Sequence, residues 1–394
     1  LDERNAGNSR QIKDSFKGVQ GIVEPPPYLD FAKLLELYQS SEVYYRAVQI
    51  KAQYTTGLGW KLTWEDNGEK STCASEEKKR NDDVKAVRDF FRVCNTSMSF
   101  EEILHQLMVD FECLGNGYLE VTRDTFGNLS GLYHVPAHTV RILSDGGFIQ
   151  VRGTKKRKFL EFGAESANDN DGIPLSEMIH FAKYNPHSAY YGMPDSVPAI
   201  GATMGDILAR DYNIEFFDNN AALQYCLIVS GGVLSQKDRE DLQNYMASLK
   251  GNPHKTMVLQ FPQGVTGELK PISTSPKESS FIEYRQMNRD LMVIAHGVPP
   301  HLLGIIETGN LGGGTGESQL ANFKHLVISP RQKFLAELIT RQLIAQGLGI
   351  KSLRFEFNEL NAEDELAKAQ ADKILIEAGV LKPDEVRARM GMKQ

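Results

Sequence analysis

Apolar residues in this chain recur with two periods, and the switches between them mark out the elements. From Asp30, the positions Phe31, Leu34, Leu35, Leu37 and Tyr38 follow helical spacing. Val43, Ala47, Val48 and Ile50 carry a second helix, which Gly57 and Gly59 are expected to end before a strand at residues 60–64. Residues 65–83 are charged and read as a solvated, partly mobile loop. Phe100 to Leu114 is amphipathic through Ile103, Leu107, Met108 and Phe111, and Gly115-Asn116-Gly117 stops it. A hairpin follows, with strands at residues 118–121 and 132–135 and a turn at Gly127-Asn128. Residues 155–172 read as a second polar loop, basic first and acidic later. Residues 30–195 together read as a mixed α+β domain.

The pattern then lengthens. Val197, Ile200, Met204, Ile207, Leu208 and Ile214 predict a helix from Ser196 to Phe217, with Ser196 placed to cap it and Pro198 in its first turn. At ~1.5 Å per residue it spans roughly 33 Å. A small α/β insert follows, with strands at 227–229 and 256–261, a helix at 236–249 and an extended piece to Ile272. Phe281, Tyr284, Met287, Leu291 and Ile294 then carry a helix over 277–296. The order is helix out, small domain, helix back. Val298-Pro299-Pro300 predicts a structural bend, since two prolines stop a helix and hold the next segment at a fixed angle. Gly309–Gly316 reads as a flexible loop. A helix from Ser318 to about Ala345, interrupted at Pro330, precedes a strand at 353–357 and a last helical pair split by Gly379 and Pro383. Residues 1–20 read as a mobile arm, and Pro25-Pro26-Pro27 as a rigid extended entry.

Composition adds bounds. The 394 residues suffice for more than one structural unit, and 41 % hydrophobic with 24 % charged is the balance of a globular protein. No apolar run approaches the roughly 20 residues that cross a bilayer, so no membrane partner is expected. The start, Leu1 to Asn5, is polar and shows neither a signal-peptide pattern nor an initiator Met, so the chain is expected to be trimmed or numbered from within a longer one. Cys73, Cys94, Cys113 and Cys226 lie far apart and read as reduced thiols. A protein that grips nucleic acid usually carries a basic patch, and this chain's net charge of −7 shows no such excess. If it meets DNA, it lets it slide.

Four stretches, in order over roughly residues 22–360, resemble the portal proteins of tailed phages, in the branch of P2-like and PBSX-like prophages related to the HK97 type. They are Glu24-Pro25-Pro26 with the helix at Phe31–Leu35; Phe111-Glu112-Cys113-Leu114-Gly115-Asn116-Gly117-Tyr118-Leu119-Glu120; Tyr191-Gly192-Met193-Pro194-Asp195 with Phe216–Asn220; and His296-Gly297-Val298-Pro299-Pro300-His301-Leu302-Leu303-Gly304. Asn219-Asn220 stands where relatives often have Asn-Gly, and Cys113 and Gly117 replace commoner residues. The resemblance implies an α+β portal fold assembled as a cyclic ring of roughly twelve copies. It assigns 1–20 to an arm, 21–195 to the wing, 196–221 and 277–297 to stem helices, and 222–276 to a clip that docks the large terminase subunit. It assigns 298–317 to the bend and tunnel loop, 318–360 to a long helix and strand, and 361–394 to a crown. The expected site residues are Gly309, Asn310, Leu311, Gly312, Gly313, Gly314 and Thr315 facing DNA, and Lys237 and Arg239 on the clip. Expected partners are other copies of the chain, double-stranded DNA, terminase, the major capsid protein and head-tail connector proteins. The expected place is the portal vertex of the virion, and the host cytoplasm during assembly.

The candidate chemistry is thin. Gly312–Ser318 before a helix suggests a phosphate cradle, but a Walker A loop needs Lys before its Ser/Thr and Glu317 stands there. A linker and a DNA-facing loop remain open, as do a nucleotide-dependent enzyme and an adaptor ring without DNA contact as functions. His296, His301, His134 and His138 read as ordinary packed or exposed histidines. Asp206, Asp211, Glu215 and Asp218 read as a solvated face that would also repel phosphates in a channel. Arg285 and Arg289 are left between solvation and pairing with a neighbour's acids. No catalytic constellation stands out, so no enzyme activity, cofactor or metal is expected.

Overall fold

The computed structural model describes residues 16, 19–64, 74–168, 172, 174–218, 225–232, 235–237, 239–241, 244, 266–271, 278–305, 316–358, 372–379, 381 and 386. Helices α1 (Phe31–Ser40) and α2 (Glu42–Thr56) follow the apolar periodicity. The Ser41 hydroxyl accepts from the Tyr44 amide at 3.3 Å, which caps α2. Strand β1 (Trp60–Trp64) is followed by helix α3 (Ala74–Val93). The expected loop over 65–83 is therefore wrong from residue 74 onward. Glu, Lys and Arg are strong helix formers, and an apolar stripe to reveal the period begins only at Val84, Val87 and Phe91.

Helix α4 (Phe100–Leu114) is fixed at both ends. The Glu102 carboxylate accepts from the Ser99 amide at 2.7 Å, while the Ser99 hydroxyl accepts from the Glu102 amide at 3.2 Å. Gly115 closes the other end at φ +74°. Strands β2 (Asn116–Arg123), β3 (Leu129–Val135), β4 (Val140–Ile142), β5 (Phe148–Arg152), β6 (Lys155–Glu161) and β7 (Glu177–Ala182) form one sheet in the order β3-β2-β7-β6-β5-β4. Every pairing is antiparallel except β6 with β7. Strand β6 corrects the polar loop expected from residue 155. Its lysines hide the period of a strand, and pairing with β5 along the strand and with β7 at Leu160 and Glu161 outweighs their low strand propensity.

A three-residue turn of 3₁₀ helix (Val197–Ala199) leads into α5 (Ile200–Asp218). Ser196 does not cap it. Its hydroxyl is buried and accepts from the Tyr44 hydroxyl at 2.9 Å. Strands β8 (Tyr225–Ser230) and β9 (Thr266–Pro271) pair antiparallel, and α6 (Glu278–His296) follows. The strand expected at 256–261 lies outside the described residues, as does most of the helix at 236–249. Residues 316–347 are continuously helical: α7 (Gly316–Phe323), a π segment (Lys324–Ile328), α8 (Ser329–Leu338) and a second π segment (Ile339–Gly347). Pro330 does not interrupt the helix as expected. It sits in the first turn of α8, directly after the π segment, where the hydrogen-bond ladder already changes register. Strand β10 (Leu353–Phe357) pairs antiparallel with β1, from Trp60 opposite Phe357 to Trp64 opposite Leu353.

These elements sort into two compact units. The smaller holds residues 1–12, 32–46 and 195–296; the larger holds 13–31, 47–194 and 297–394. The main core lies in the larger. There α3, α4, β2, β7, α8 and β10 bury Phe91, Leu107, Phe111, Leu119, Phe181, Leu335 and Phe355.

Candidate functional site

In the smaller unit α5 and α6 pack antiparallel, and small or polar residues set their approach. Gly205 leaves room that a Cβ would take from the Tyr284 hydroxyl and, at 3.1 Å, from the Asn288 amide nitrogen. Asp206 is buried and accepts from Arg285 Nε at 2.7 Å. This corrects the reading of Asp206 as a solvated acid and settles Arg285 as an intrachain partner. Asp211 is exposed beside Arg210, and Arg289 pairs with Asp290 at 2.9 Å. The side chains of Glu215 and Asp218 lie outside the described residues. His296 at the end of α6 is buried and stacks on Tyr44 with ring centroids 5.2 Å apart. The outer faces stay uncovered: Leu208, Tyr212 and Ile214 on α5, and Ile282, Met287, Leu291 and Ile294 on α6 are exposed, Leu208 by 64 % and Ile294 by 74 %. Apolar side chains left exposed along two helices are the physical signature of a surface suited to contact with another protein.

In the larger unit Gly297 turns at φ +63°, Pro299 is extended at φ −57°, ψ 137°, and Pro300 opens a 3₁₀ turn that Gly304 ends at φ +81°. Val298 is buried with Ala47, Ile50, Phe323 and Ile328. The bend at Val298, Pro299 and Pro300 is therefore pinned to α2, and the same cluster holds α7. His301 and Gln319 join across the gap at 3.0 Å. Both stems of the segment that contains Gly309–Thr315 are thus tied together, while those residues lie outside the described ones.

Parts of the first three stretches behind the resemblance, around Phe31, Gly115 and Gly192, meet in the same unit. Gly115 and Gly192 face each other, and a Cβ on Gly192 would collide with the Gly115 carbonyl. Asn116 bridges them: its amide donates to the Leu114 and Gly192 carbonyls, and its oxygen accepts from the Gly192 amide at 2.9 Å. The Tyr191 hydroxyl donates to the Val23 carbonyl at 2.7 Å and accepts from the Ile142 amide at 3.0 Å, and its ring packs edge-on to Phe31. His180 stacks on Tyr118, and burial pushes its pKa down to about 3. Glu112 is fully buried and accepts from Lys51 at 2.5 Å, Lys183 at 2.9 Å and Arg331 at 2.6 Å. Burial alone would raise its pKa. Lys183, Lys51 and Arg331 outweigh it and hold the carboxyl well below its ordinary range.

The phage portal protein family matches residues 42–391. This chain belongs to the phage portal protein family. It is 23 % identical to the phage-like element PBSX protein XkdE of Bacillus subtilis (strain 168), over 98 % of this chain and 88 % of that one. It is 24 % identical to the probable portal protein of Escherichia phage P2, over 50 % of this chain and 55 % of that one. A solved chain from the neck of a native gene transfer agent particle, computed with C12 symmetry, superposes with a TM-score of 0.62 at 19 % identity, over 97 % of this chain and 98 % of that one. The portal fold read from the sequence is therefore the fold of this chain.

Of the residues singled out in the sequence of this family member, Lys237 and Arg239 are exposed and helical. His134 is not simply solvated: its Nε2 lies 2.9 Å from Asp110 Oδ2, a carboxylate that also accepts from the Ala137 amide at 2.8 Å. Among the described residues no group of His, Cys, Asp and Glu is arranged to hold a metal. Glu112 and its three cations were missed. The one hint was an acid between Phe111 and Cys113 in an otherwise apolar helix end.

Proposed function

We propose that this portal-family chain is one subunit of a closed ring at one vertex of a phage-type capsid, through which double-stranded DNA is packaged, retained and ejected. The observation that carries the reading is the uncovered apolar run along α5 and α6. A heterologous contact repeated around an axis would cover it in every subunit at once. In this reading residues 21–195 are the wing, 196–221 and 277–297 the stem, 222–276 the clip, 298–317 the bend and tunnel loop, 318–360 the long helix and strand, and 361–394 the crown. The ring acts as a conduit and docking hub rather than as an enzyme. Terminase docks on the clip at Lys237 and Arg239, and connector and major capsid proteins dock elsewhere on the ring. Subunits assemble in the host cytoplasm and end in the virion. The net charge of −7 suits a duplex that slides.

The loop Gly309–Thr315 tests this reading, because its tied stems would hold twelve such loops in place around the axis. Shortening Gly309–Gly314, or replacing Gly312, Gly313 and Gly314 by Ala, should leave assembly intact and lower the DNA held per particle. Full-length, stably retained DNA in both variants would reduce the loop to a linker.

A further inference from the structure

Although the chain is acidic overall, residues 146–160 contain five cations and no carboxylate. They form β5, a tight turn with Gly153 at φ +60°, and β6. Arg157 is engaged, donating to Glu120 at 3.0 Å and to Ser176 at 2.9 Å. The other four, Arg152, Lys155, Lys156 and Lys158, are exposed, and none has a carboxylate partner among the described residues. The register sets Arg152 directly opposite Lys155. Like charges facing each other across a ladder destabilise a sheet, so the arrangement is kept against its own repulsion. The hairpin is nonetheless held firmly: Phe148 and Phe159 are buried, and Ile149 and Val151 pack on Leu143.

Two kinds of partner could neutralise this charge. Protein interfaces carry an apolar centre and are depleted in Lys. No large apolar side chain of this hairpin is exposed. Concentrated cations without carboxylate partners or exposed apolar neighbours fit a phosphodiester backbone, which carries one charge per ~1.7 Å of duplex axis. We propose that the β5–β6 hairpin is a phosphate-binding surface for duplex DNA, distinct from the channel-facing loop and indifferent to sequence. It rests on the portal reading for the presence of DNA beside the ring, and on the hairpin alone for the binding.

The test uses the assembled full-length protein and a relaxed, closed-circular plasmid, which cannot thread a ring that is already closed. Binding is measured from 50 to 200 mM salt, with native mass recorded on the same sample. Wild-type protein should bind the circle with a salt slope of up to about −3.6, from four phosphate contacts at about −0.9 each. The R152Q/K155Q/K156Q/K158Q variant should lose most of that slope, while K78Q/K79Q/K85Q/R88Q, which neutralises as many exposed cations on α3, should keep it. Equal binding by both variants, or no wild-type binding to the circle, overturns the proposal. So does unchanged DNA binding with an altered ring mass, which would assign the hairpin to an acidic protein surface. Failure of the ring reading would show in the native mass and not in the salt slope.

Discussion

Replacing Glu112 by Gln keeps the side chain's shape and removes one charge from a site that holds three cations. Glu112 and Lys51 are both fully buried and 2.5 Å apart, and Arg331 lies 2.6 Å from the same carboxylate. The substitution leaves Lys51 in that interior without its carboxylate, and removing one member of a buried pair costs about 3–5 kcal/mol. A domain's whole stability is only about 5–15 kcal/mol, so the loss is a large share of it. The chain's two tryptophans are Trp60 and Trp64, both on β1 of the same unit, so their fluorescence in a urea titration reports this unit. Wild type and variant should be compared at equal subunit concentration, because assembly adds its own mass-action stabilisation. The pH dependence supplies the second half of the test. The folded-state pKa of Glu112 is depressed, so its contribution is fully present above its unfolded value and is lost as pH falls through the folded one. The gap between wild type and E112Q should be constant from pH 7 to about 5, then narrow by up to ~1.4 kcal/mol per unit below about pH 4.3. A loss under about 1 kcal/mol, or a gap unchanged down to pH 3, would refute the assignment of the cations to Glu112.

Two further outcomes follow from the smaller unit. Leu208→Asp with Ile294→Asp places charge on the uncovered faces of α5 and α6, where each apolar side chain is worth about 1.5–3 kcal/mol when covered; the pair should dissociate the assembly in sizing chromatography while circular dichroism stays unchanged. Lys237→Glu with Arg239→Glu should weaken terminase co-purification and leave assembly intact, and unchanged co-purification would remove these residues from the docking surface.

What the sequence displayed, and what it hid, divides by the range of the interaction. Helices α4, α5 and α6 were legible because each has its own apolar period, and in α4 the Ser99–Glu102 box and Gly115 mark both ends. The helical start of α3 was not, since Glu77 to Arg80 carry no apolar stripe. Strand β6 was hidden because its lysines are held in the sheet by pairing with β5, a partner that no local pattern announces. The pairing of β1 with β10 joins Trp60 to Phe357, across most of the chain, and no local pattern announces it. The site divides in the same way. The bend at Val298–Pro300 was visible because proline acts locally. The burial of Asp206 against Arg285 depends on two helices meeting, and the gathering of Lys51, Lys183 and Arg331 around Glu112 depends on four separate segments.

Whether the chain closes into a ring is decided by native mass spectrometry of the purified protein at micromolar concentration. The subunit mass is 44.0 kDa. A closed ring should give a single large species at a whole-number multiple of that mass, about twelve for the cyclic assembly expected of this family, with a central hole in top-view images. A stable species at 44.0 kDa under those conditions would contradict it.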